Sequence, residues 1–325
     1  MTAPALRLLA DIGGTHARFA LQHHGRRPYR HRVLQTREFA TLAAAIAAYL
    51  GEVDRKPRTA AIAVAAPITG DRVELTNAPW GFSVETLRRG LGFERLAMLN
   101  DFEALAWSLP ALAGPSLRKI GRGRAVPRMP KAVLGPGTGL GVSCLVPVPG
   151  PNRAGTAVAL ATEGGHMTMA ASGAREAEAI AILRAHFGHV SAERLLSGPG
   201  LANLYAALAE LDGAPLDAPL FAGEIGRRAR ARSDPRAVEA ASLFTGLCGQ
   251  FAGDVALVYG ARGGVYLGGG VIPRLGPAFD FSLFRRRFES KGRFSEWTKS
   301  VPTYLIRHPN PAMIGLARSL DAEAS

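Results

Sequence analysis

Two stretches of the chain repeat one pattern, and this repeat constrains the fold more than any other feature. Near the N-terminus, "LRLLADIGGTHARFALQ" reads as an apolar strand, a glycine turn and a second apolar strand. The pattern returns at residues 131–147 as "KAVLGPGTGLGVSCLVP". Apolar runs joined by short glycine turns are typical of β-hairpins. We therefore predict a duplicated α/β architecture in which each half opens with a hairpin.

The segments after each hairpin alternate between strand and helix patterns. In the first half we predict the order β-β-β-α-β-(β)-α-β-α, with a strand near 30–35, a helix at 39–53, a strand at 59–68, and a helix capped by Ser83. In the second half we predict strands at 156–161 and 166–170, helices at 173–187, around 191–195, 198–211, 220–231 and 235–260, a short strand within 263–272, and a final strand and helix. Ligands usually bind in the cleft between two such halves.

Composition limits the classes of protein that remain. The chain has 325 residues, which is enough for two domains of roughly 100–200 residues each. Its two cysteines, Cys144 and Cys248, lie far apart, which argues against a disulfide framework or a zinc site and suits a reducing cytoplasm. No uncharged apolar run reaches the roughly 18–20 residues that span a bilayer. We expect a soluble cytoplasmic protein with no membrane partner.

The formal net charge of +13 raises the question of nucleic-acid binding. The basic residues fall in separate patches that lie on no recognisable helix-turn-helix or RNA-binding motif, at 23–32, 118–131, 226–232 and 285–293. We interpret these patches as solvated loops and helix faces, and predict no nucleic-acid partner. A positive field can still draw in an anionic substrate such as a nucleotide phosphate.

Three glycine-rich turns, at 11–15, 135–141 and 263–270, carry most of the chemical information. Glycine permits positive φ and lets backbone N–H groups come close to an anion. Taken singly, each of these turns is also explained by the need of a tight hairpin for glycine. Together, and with Asp11 at the start of the first, they indicate phosphate binding, since one carboxylate can hold Mg²⁺ through water.

The stretch "LNDFEALAWSLP" places an amide and a carboxylate at the end of the apolar run "RLAML". Asn100 and Asp101 are good helix N-caps, and that is one interpretation. The other is that the tip of a strand opens into a ligand crevice, where Asp101 can act as a base. The stretch alone leaves both interpretations open.

Taken together, the motifs resemble those of a known family. The stretches "LLADIGGTHARFAL", "LNDFEALAWSLP", "VLGPGTGLGVS", "TEGGHM", "SAERLLSGPGL" and "YLGGGVIPRL" follow one another as in the zinc-free bacterial glucokinases of the hexokinase superfamily. The related ROK proteins carry a cysteine-rich zinc motif, which two isolated cysteines cannot supply. The resemblance implies the two-domain sugar-kinase/actin-like α/β fold, a duplicated ribonuclease H-like architecture with an interdomain cleft, and a homodimer. We place a small domain at 1–111 plus 303–325 and a large domain at 112–302.

The same resemblance implies ATP-dependent phosphorylation of glucose at its 6-hydroxyl, with Mg²⁺ as cofactor. Asp101 would be the general base, and the sugar ligands would be Asn100, Asp101, Glu163, His166 and Glu193. The nucleotide would be held by Asp11, Gly13, Gly14, Thr15, Gly137, Thr138, Gly139, Gly268, Gly269 and Gly270. Asp11 would bind the metal through water.

Other interpretations of these residues stay open at this point. Glu163 and His166 have a spacing that also occurs in metal sites, and a lone histidine is more often structural. Glu193 precedes "RLL" as a helix-surface acid would, and Asn77 is as readily a loop residue as a sugar ligand. The substrate could be another hexose, such as mannose, fructose or glucosamine. A non-catalytic sugar sensor is the remaining alternative, although the hairpin starts at residue 6 and leaves no room for a preceding DNA-binding motif.

Overall fold

The computed structural model of the chain describes residues 5–75, 80–148, 157–214, 216 and 218–322. Its contacts divide the chain into two compact α/β units. One consists of Met1–Ser116, Val148–Ala161 and His308–Ser325, and the other of Leu117–Pro147 and Thr162–Arg307. The domain boundaries proposed from the sequence remain a prediction.

The first part of the chain forms seven strands and three helices within the described residues. In chain order they are β1 (Leu6–Ile12), β2 (His16–His23), β3 (Tyr29–Gln35), α1 (Leu42–Gly51), β4 (Thr59–Val64), β5 (Arg72–Glu74), β6 (Gly81–Ser83), α2 (Val84–Gly90), β7 (Arg95–Asn100) and α3 (Asp101–Ser108). Five of the strands form one sheet in the order β3-β2-β1-β4-β7. The hairpin strands are antiparallel, while β1, β4 and β7 run parallel. Ser83 caps α2 through its side chain, as predicted.

The second part of the chain repeats this topology. Its elements are β8 (Leu117–Ile120), β9 (Lys131–Pro136), β10 (Leu140–Pro147), β11 (Ala157–Thr162), α4 (Ala174–Phe187), α5 (Gly198–Leu211), α6 (Ala222–Ala231), α7 (Pro235–Tyr259), β12 (Val265–Leu267), α8 (Val271–Leu275), α9 (Phe281–Glu289), α10 (Ser295–Ser300), β13 (Thr303–Ile306) and α11 (Pro311–Ala322). The second sheet has the order β11-β10-β9-β12-β13-β8. Again the two hairpin strands are antiparallel, and the strand beside them, β12, is parallel to the first strand of the hairpin. The predicted duplicated α/β fold is confirmed.

Both faces of the first sheet are covered by apolar side chains. On one face Leu8, Ala10 and Ile12 pack with side chains of α1 and α2. On the other, Leu9 and Leu99 pack with side chains of α11. A Cβ added to Gly315 of α11 would overlap the carbonyl oxygen of Ala104 in α3, so these two helices touch backbone to backbone.

The long helix α7 forms the centre of the second core. Its Phe244, Leu247 and Phe251 are buried. This is the one helix within the described residues that is long and apolar enough to cross a membrane, and 72% of its most apolar window is buried inside the protein. Burial of that kind is typical of a core helix.

Several sequence predictions need correction. Residues 166–170 form no strand, only an isolated bridge between Thr168 and Ser191, and residues 191–195 form turns rather than a helix. The basic patch at 285–293 is not simply solvated. The Arg285 side chain is buried and donates to the carbonyl oxygens of Val301 and Lys299 at 2.8 and 2.9 Å. It is buried because it satisfies these backbone acceptors at the end of α10.

Candidate active site

The first glycine turn joins β1 to β2 and is fixed from outside by Thr36. The Gly13 N–H donates to His16 O at 2.9 Å and closes the turn. Thr36 is buried; its N–H donates to Thr15 O at 3.0 Å and its hydroxyl donates to Gly13 O at 3.1 Å. Neither Gly13 nor Gly14 has a positive φ. Glycine is therefore useful here because it leaves the backbone uncovered, not because it permits a left-handed conformation.

Asp11 lies one strand position before this turn and faces Arg18 across the hairpin. The Arg18 Nη1 atom lies 3.4 Å from Asp11 Oδ2. Burial raises the pKa of Asp11 above its ordinary value of 3.8, and the attraction and hydrogen bond of Arg18 oppose that shift without cancelling it. A carboxylate that loses solvation in this way binds a cation more readily than an exposed one.

Asp11→Asn is expected to raise the unfolding temperature at neutral pH. A carboxyl group whose pKa is higher in the folded than in the unfolded state is harder to ionise after folding. It therefore lowers the free energy of unfolding as the pH rises above the pKa of the unfolded state. The comparison variant is Asp71→Asn. The exposed Asp71 carboxylate accepts hydrogen bonds from Ser83 and the Glu85 N–H, which lower its pKa, so its neutralisation is expected to lower the unfolding temperature. Thermal unfolding of both variants at pH 7 and near pH 3 tests the two signs. A lower unfolding temperature for Asp11→Asn at pH 7 contradicts this account.

Asn100 and Asp101 lie where β7 ends and α3 begins. Asn100 is the N-cap: its side-chain oxygen accepts from the Phe102 N–H at 2.9 Å, and Glu103 completes a capping box. Its amide also donates to Ala66 O at 3.2 Å. Its side-chain oxygen also accepts from the Glu103 N–H in the capping box, so both acceptor positions are used, whereas one of the two amide donors remains for a ligand. The capping interpretation thus holds for Asn100 without excluding a second role.

Asp101 is the first residue of α3, and its side chain is half-buried. Its Oδ1 atom accepts from the Phe102 N–H at 2.9 Å. The strand register aligns Ile12 of β1 with Val64 of β4 and Asn100 of β7. Asp101 and the 13–15 turn therefore lie at the same edge of the sheet, two strand spacings or roughly 10 Å apart.

In the second unit, two glycine turns lie at the carboxyl ends of the parallel strands β9 and β12. The Gly137 N–H donates to Gly139 O at 2.8 Å, and the Gly268 N–H donates to Leu134 O at 2.8 Å. Gly269 has a φ of +77°, and a Cβ there would overlap Pro136 O. The predicted adenosine turn at 268–270 thus packs against the end of β9, immediately before the predicted phosphate turn at 137–139.

Glu163 is the N-cap of a single turn of 3-10 helix, Gly164–His166, and His166 is the last residue of that turn. Their side chains are 61% and 59% exposed, and His166 Nε2 lies 3.9 Å from Glu163 Oε2. His166 is therefore not a buried structural histidine, and both side chains are accessible to a ligand. Gly165 fixes the position of this turn, because a Cβ there would overlap Leu140 O at the start of β10.

Glu193 is not the helix-surface acid that its surroundings in the sequence suggested. It lies in the turns between α4 and α5, and its Oε2 atom accepts from the Leu140 N–H at 2.8 Å. Its own N–H donates to Gly165 O at 2.8 Å. Glu193 is therefore in contact with both the 137–139 turn and the turn that holds Glu163 and His166.

In each unit, the predicted site residues of that unit thus lie at the carboxyl edge of its sheet. Asn77 lies outside the described residues. The residues that sequence reasoning missed are Arg18, Thr36 and Leu140, which hold predicted site residues in place. Only the Asp11–Arg18 pairing had a sequence signal, because the hairpin places these two residues opposite each other.

No group of three or more His, Cys, Asp or Glu side chains that could hold a metal occurs among the residues that the structure describes. This arrangement is compatible with Mg²⁺, which usually binds through one or two carboxylates, substrate phosphates and several waters. Asp11 supplies one such oxygen donor beside a glycine turn, and its raised pKa reflects a carboxylate that a cation would stabilise.

Comparison with known proteins identifies the family. The glucokinase family model matches residues 8–323. A protein named glucokinase from Aromatoleum aromaticum is 53% identical over 97% of this chain and 94% of its own length. The crystal structure of a glucokinase from an Antarctic psychrotroph superposes with a TM-score of 0.87 at 36% identity, covering 97% of this chain and 98% of that one. The ROK family glucokinase of Streptomyces griseus, solved in complex with glucose and AMPPNP, shares the fold with a TM-score of 0.62 at 18% identity, covering 96% of this chain and 98% of that one. The chain therefore belongs to the glucokinase family.

Proposed function

We propose that this protein transfers the γ-phosphoryl group of ATP to the 6-hydroxyl of glucose, giving glucose 6-phosphate and ADP. The observation that carries the proposal is the family match along residues 8–323. The chain is an enzyme of the kinase class, and it uses ATP as a substrate. The roles of individual residues are our assignments.

Asp101 is the general base in this proposal. Phosphoryl transfer to an alcohol needs a group that accepts the hydroxyl proton as the new P–O bond forms. Asp101 is a half-buried carboxylate at the first position of α3, and the capping box at Asn100 fixes the backbone on which it is carried. A base held on a rigid helix start keeps its oxygen in position for the 6-hydroxyl.

The sugar is bound by Asn100, Asp101, Glu163, His166 and Glu193. A hexose offers only hydroxyl groups, so its site must supply both acceptors and donors at fixed positions. Carboxylates, an amide and an imidazole meet that requirement. Analogues that lack a hydroxyl are rejected because the corresponding protein group is left without a partner.

The nucleotide is bound by the three glycine turns. Gly13, Gly14 and Thr15 form the first, Gly137, Thr138 and Gly139 the second, and Gly268–Gly270 lie against the adenosine. Backbone N–H groups and the two threonine hydroxyls donate to phosphate oxygens. Bound Mg²⁺, held by Asp11 through water, would neutralise charge on the phosphates.

The remaining assignments rest on the family resemblance and on composition. We propose a cytoplasmic homodimer with a small domain at 1–111 plus 303–325 and a large domain at 112–302. Cys144 and Cys248 are both buried free thiols. A reducing compartment keeps cysteines in the thiol form, which supports the cytoplasmic assignment.

The test is the rate of ADP formation from Mg·ATP with glucose, mannose, fructose and glucosamine. We expect the highest kcat/KM with glucose. A higher value with another hexose would keep the mechanism and replace the substrate. Absence of turnover with every sugar, alongside measurable sugar or nucleotide binding, would support a sensor instead.

A further inference from the structure

Glu193 occupies a position in which one side chain and its backbone touch three separate segments. Its N–H donates to Gly165 O at 2.8 Å, within the turn that holds Glu163 and His166. Its carbonyl oxygen accepts from Ser197 Oγ at 2.8 Å, and Ser197 caps α5. Its Oε2 atom accepts from the Leu140 N–H at 2.8 Å, at the end of the 137–139 turn.

The glycine at position 139 makes the last of these contacts possible. A Cβ on Gly139 would lie 2.5 Å from Glu193 Oε2 and 3.3 Å from its Cδ. Gly139 has no positive φ, so its backbone conformation does not demand glycine. An alanine at this position would instead force the Glu193 carboxylate to shift. Gly137 differs, because a Cβ there would meet no other atom closer than Gly139 O, at 3.9 Å.

A carboxylate has about four acceptor positions on its two oxygens. One of them is taken by the Leu140 N–H, which leaves others for a sugar hydroxyl. A hydroxyl bound to Glu193 would hold its side chain in the orientation that supports the 137–139 turn. The turn, once occupied by phosphate, would hold the carboxylate in the orientation that receives the sugar.

We infer that Glu193 links the two substrates: it is a positioning residue that makes the binding of glucose and the binding of ATP mutually favourable. This inference rests on the proposed function. A coupling free energy between two sites is reciprocal, so bound nucleotide must tighten glucose binding by the same factor by which bound glucose tightens nucleotide binding. Loss or displacement of the Glu193 carboxylate is expected to reduce this shared factor. A residue that only binds sugar would leave it unchanged.

The first test measures the dissociation constant of glucose with and without saturating Mg·AMPPNP, by calorimetry, for the wild type, Gly139→Ala and Gly137→Ala. We expect Mg·AMPPNP to tighten glucose binding about tenfold in the wild type, since typical couplings span about 5- to 150-fold, and to have little effect in Gly139→Ala. Gly137→Ala, compared at saturating nucleotide, is expected to keep this tightening. Equal tightening in Gly139→Ala and the wild type would overturn the coupling while leaving the proposed function intact. A wild type that neither binds nor phosphorylates glucose would overturn both.

The reverse test does not depend on the folding of Gly139→Ala. It measures binding of Mg·AMPPNP with and without saturating glucose to the wild type, Glu193→Ala and Glu163→Ala. Glucose is expected to raise nucleotide affinity about tenfold in the wild type and to have little effect in Glu193→Ala. Glu163→Ala removes another candidate sugar ligand, one that makes no hydrogen bond to the 137–139 turn within the described part of the chain, and is expected to keep the gain at saturating glucose. Equal gains in the two variants would contradict the role of Glu193.

Discussion

Asp101→Asn is expected to lower kcat for glucose phosphorylation by about 10³-fold, within the range of roughly 10²–10⁴ that general acid–base catalysis contributes. An amide has nearly the same shape as the carboxylate but cannot accept the proton of the 6-hydroxyl. It can still hydrogen-bond to the sugar, so the dissociation constant of glucose is expected to change far less than kcat. Initial rates of ADP formation and calorimetric glucose binding provide the two measurements.

Glu103→Gln is the matched control for this variant. It also replaces a carboxylate by an amide, two residues after Asp101 and in the same first turn of α3. Glu103 closes the capping box on the Asn100 N–H, and glutamine serves that motif as well as glutamate does. We expect turnover close to that of the wild type. Similar losses in both variants would mean that the charge of the helix start matters and that Asp101 is not the base.

Gly315→Ala is expected to cause the largest loss of stability among single-methyl changes in the first unit. The added Cβ would overlap the carbonyl oxygen of Ala104 and lie 3.1 Å from the backbone nitrogen of Ser108. The helices α11 and α3 would therefore have to move apart. Overpacking costs about 1–3 kcal/mol and occasionally more. Because backbone atoms cannot rotate away as a side chain can, we expect a value at or above about 3 kcal/mol. Chemical denaturation gives this quantity directly.

The same substitution is expected to reduce activity, since α3 begins at Asp101. Gly223→Ala is the control, because it makes the same change in helix α6 with no atom within 4 Å of the new Cβ. Replacement of an open helical glycine by alanine is expected to stabilise the protein by roughly 0.5–1 kcal/mol. A neutral effect of Gly315→Ala would show that the α3–α11 contact is looser than the structure indicates.

The parts of the fold that could be predicted from the sequence are those with long periodic patterns. Both hairpins and the long helices, such as α4, α5 and α7, carry enough apolar repeats to be recognised locally. The short helices α8, α9 and α10 were missed. Helices of this length are marginal by themselves and form because the surrounding protein packs against them. Strand β8 was missed since Arg118 and Lys119 are exposed on it, which leaves little alternation to detect.

The candidate site shows the same division. The glycine turns and the acid at the strand tip are local signals, and the structure places them at the carboxyl ends of parallel strands in both sheets. The contacts that hold them are not local. Thr36 reaches Gly13 from 23 residues away, and Glu193 reaches Leu140 from 53 residues away. The segment 191–195 was predicted as a helix but forms turns. Its Glu193 N–H donates to Gly165 O, and no local pattern reveals a hydrogen bond between segments this far apart in sequence.

The reaction assigned to this chain is the transfer of a phosphoryl group from ATP to the 6-hydroxyl of glucose. Phosphorus NMR of the purified protein with glucose and Mg·ATP tests it most directly, because it identifies the product as well as the rate. We predict that glucose 6-phosphate and ADP form in equal amounts. Release of inorganic phosphate without a sugar phosphate, or phosphorylation at a different hydroxyl, would contradict the account.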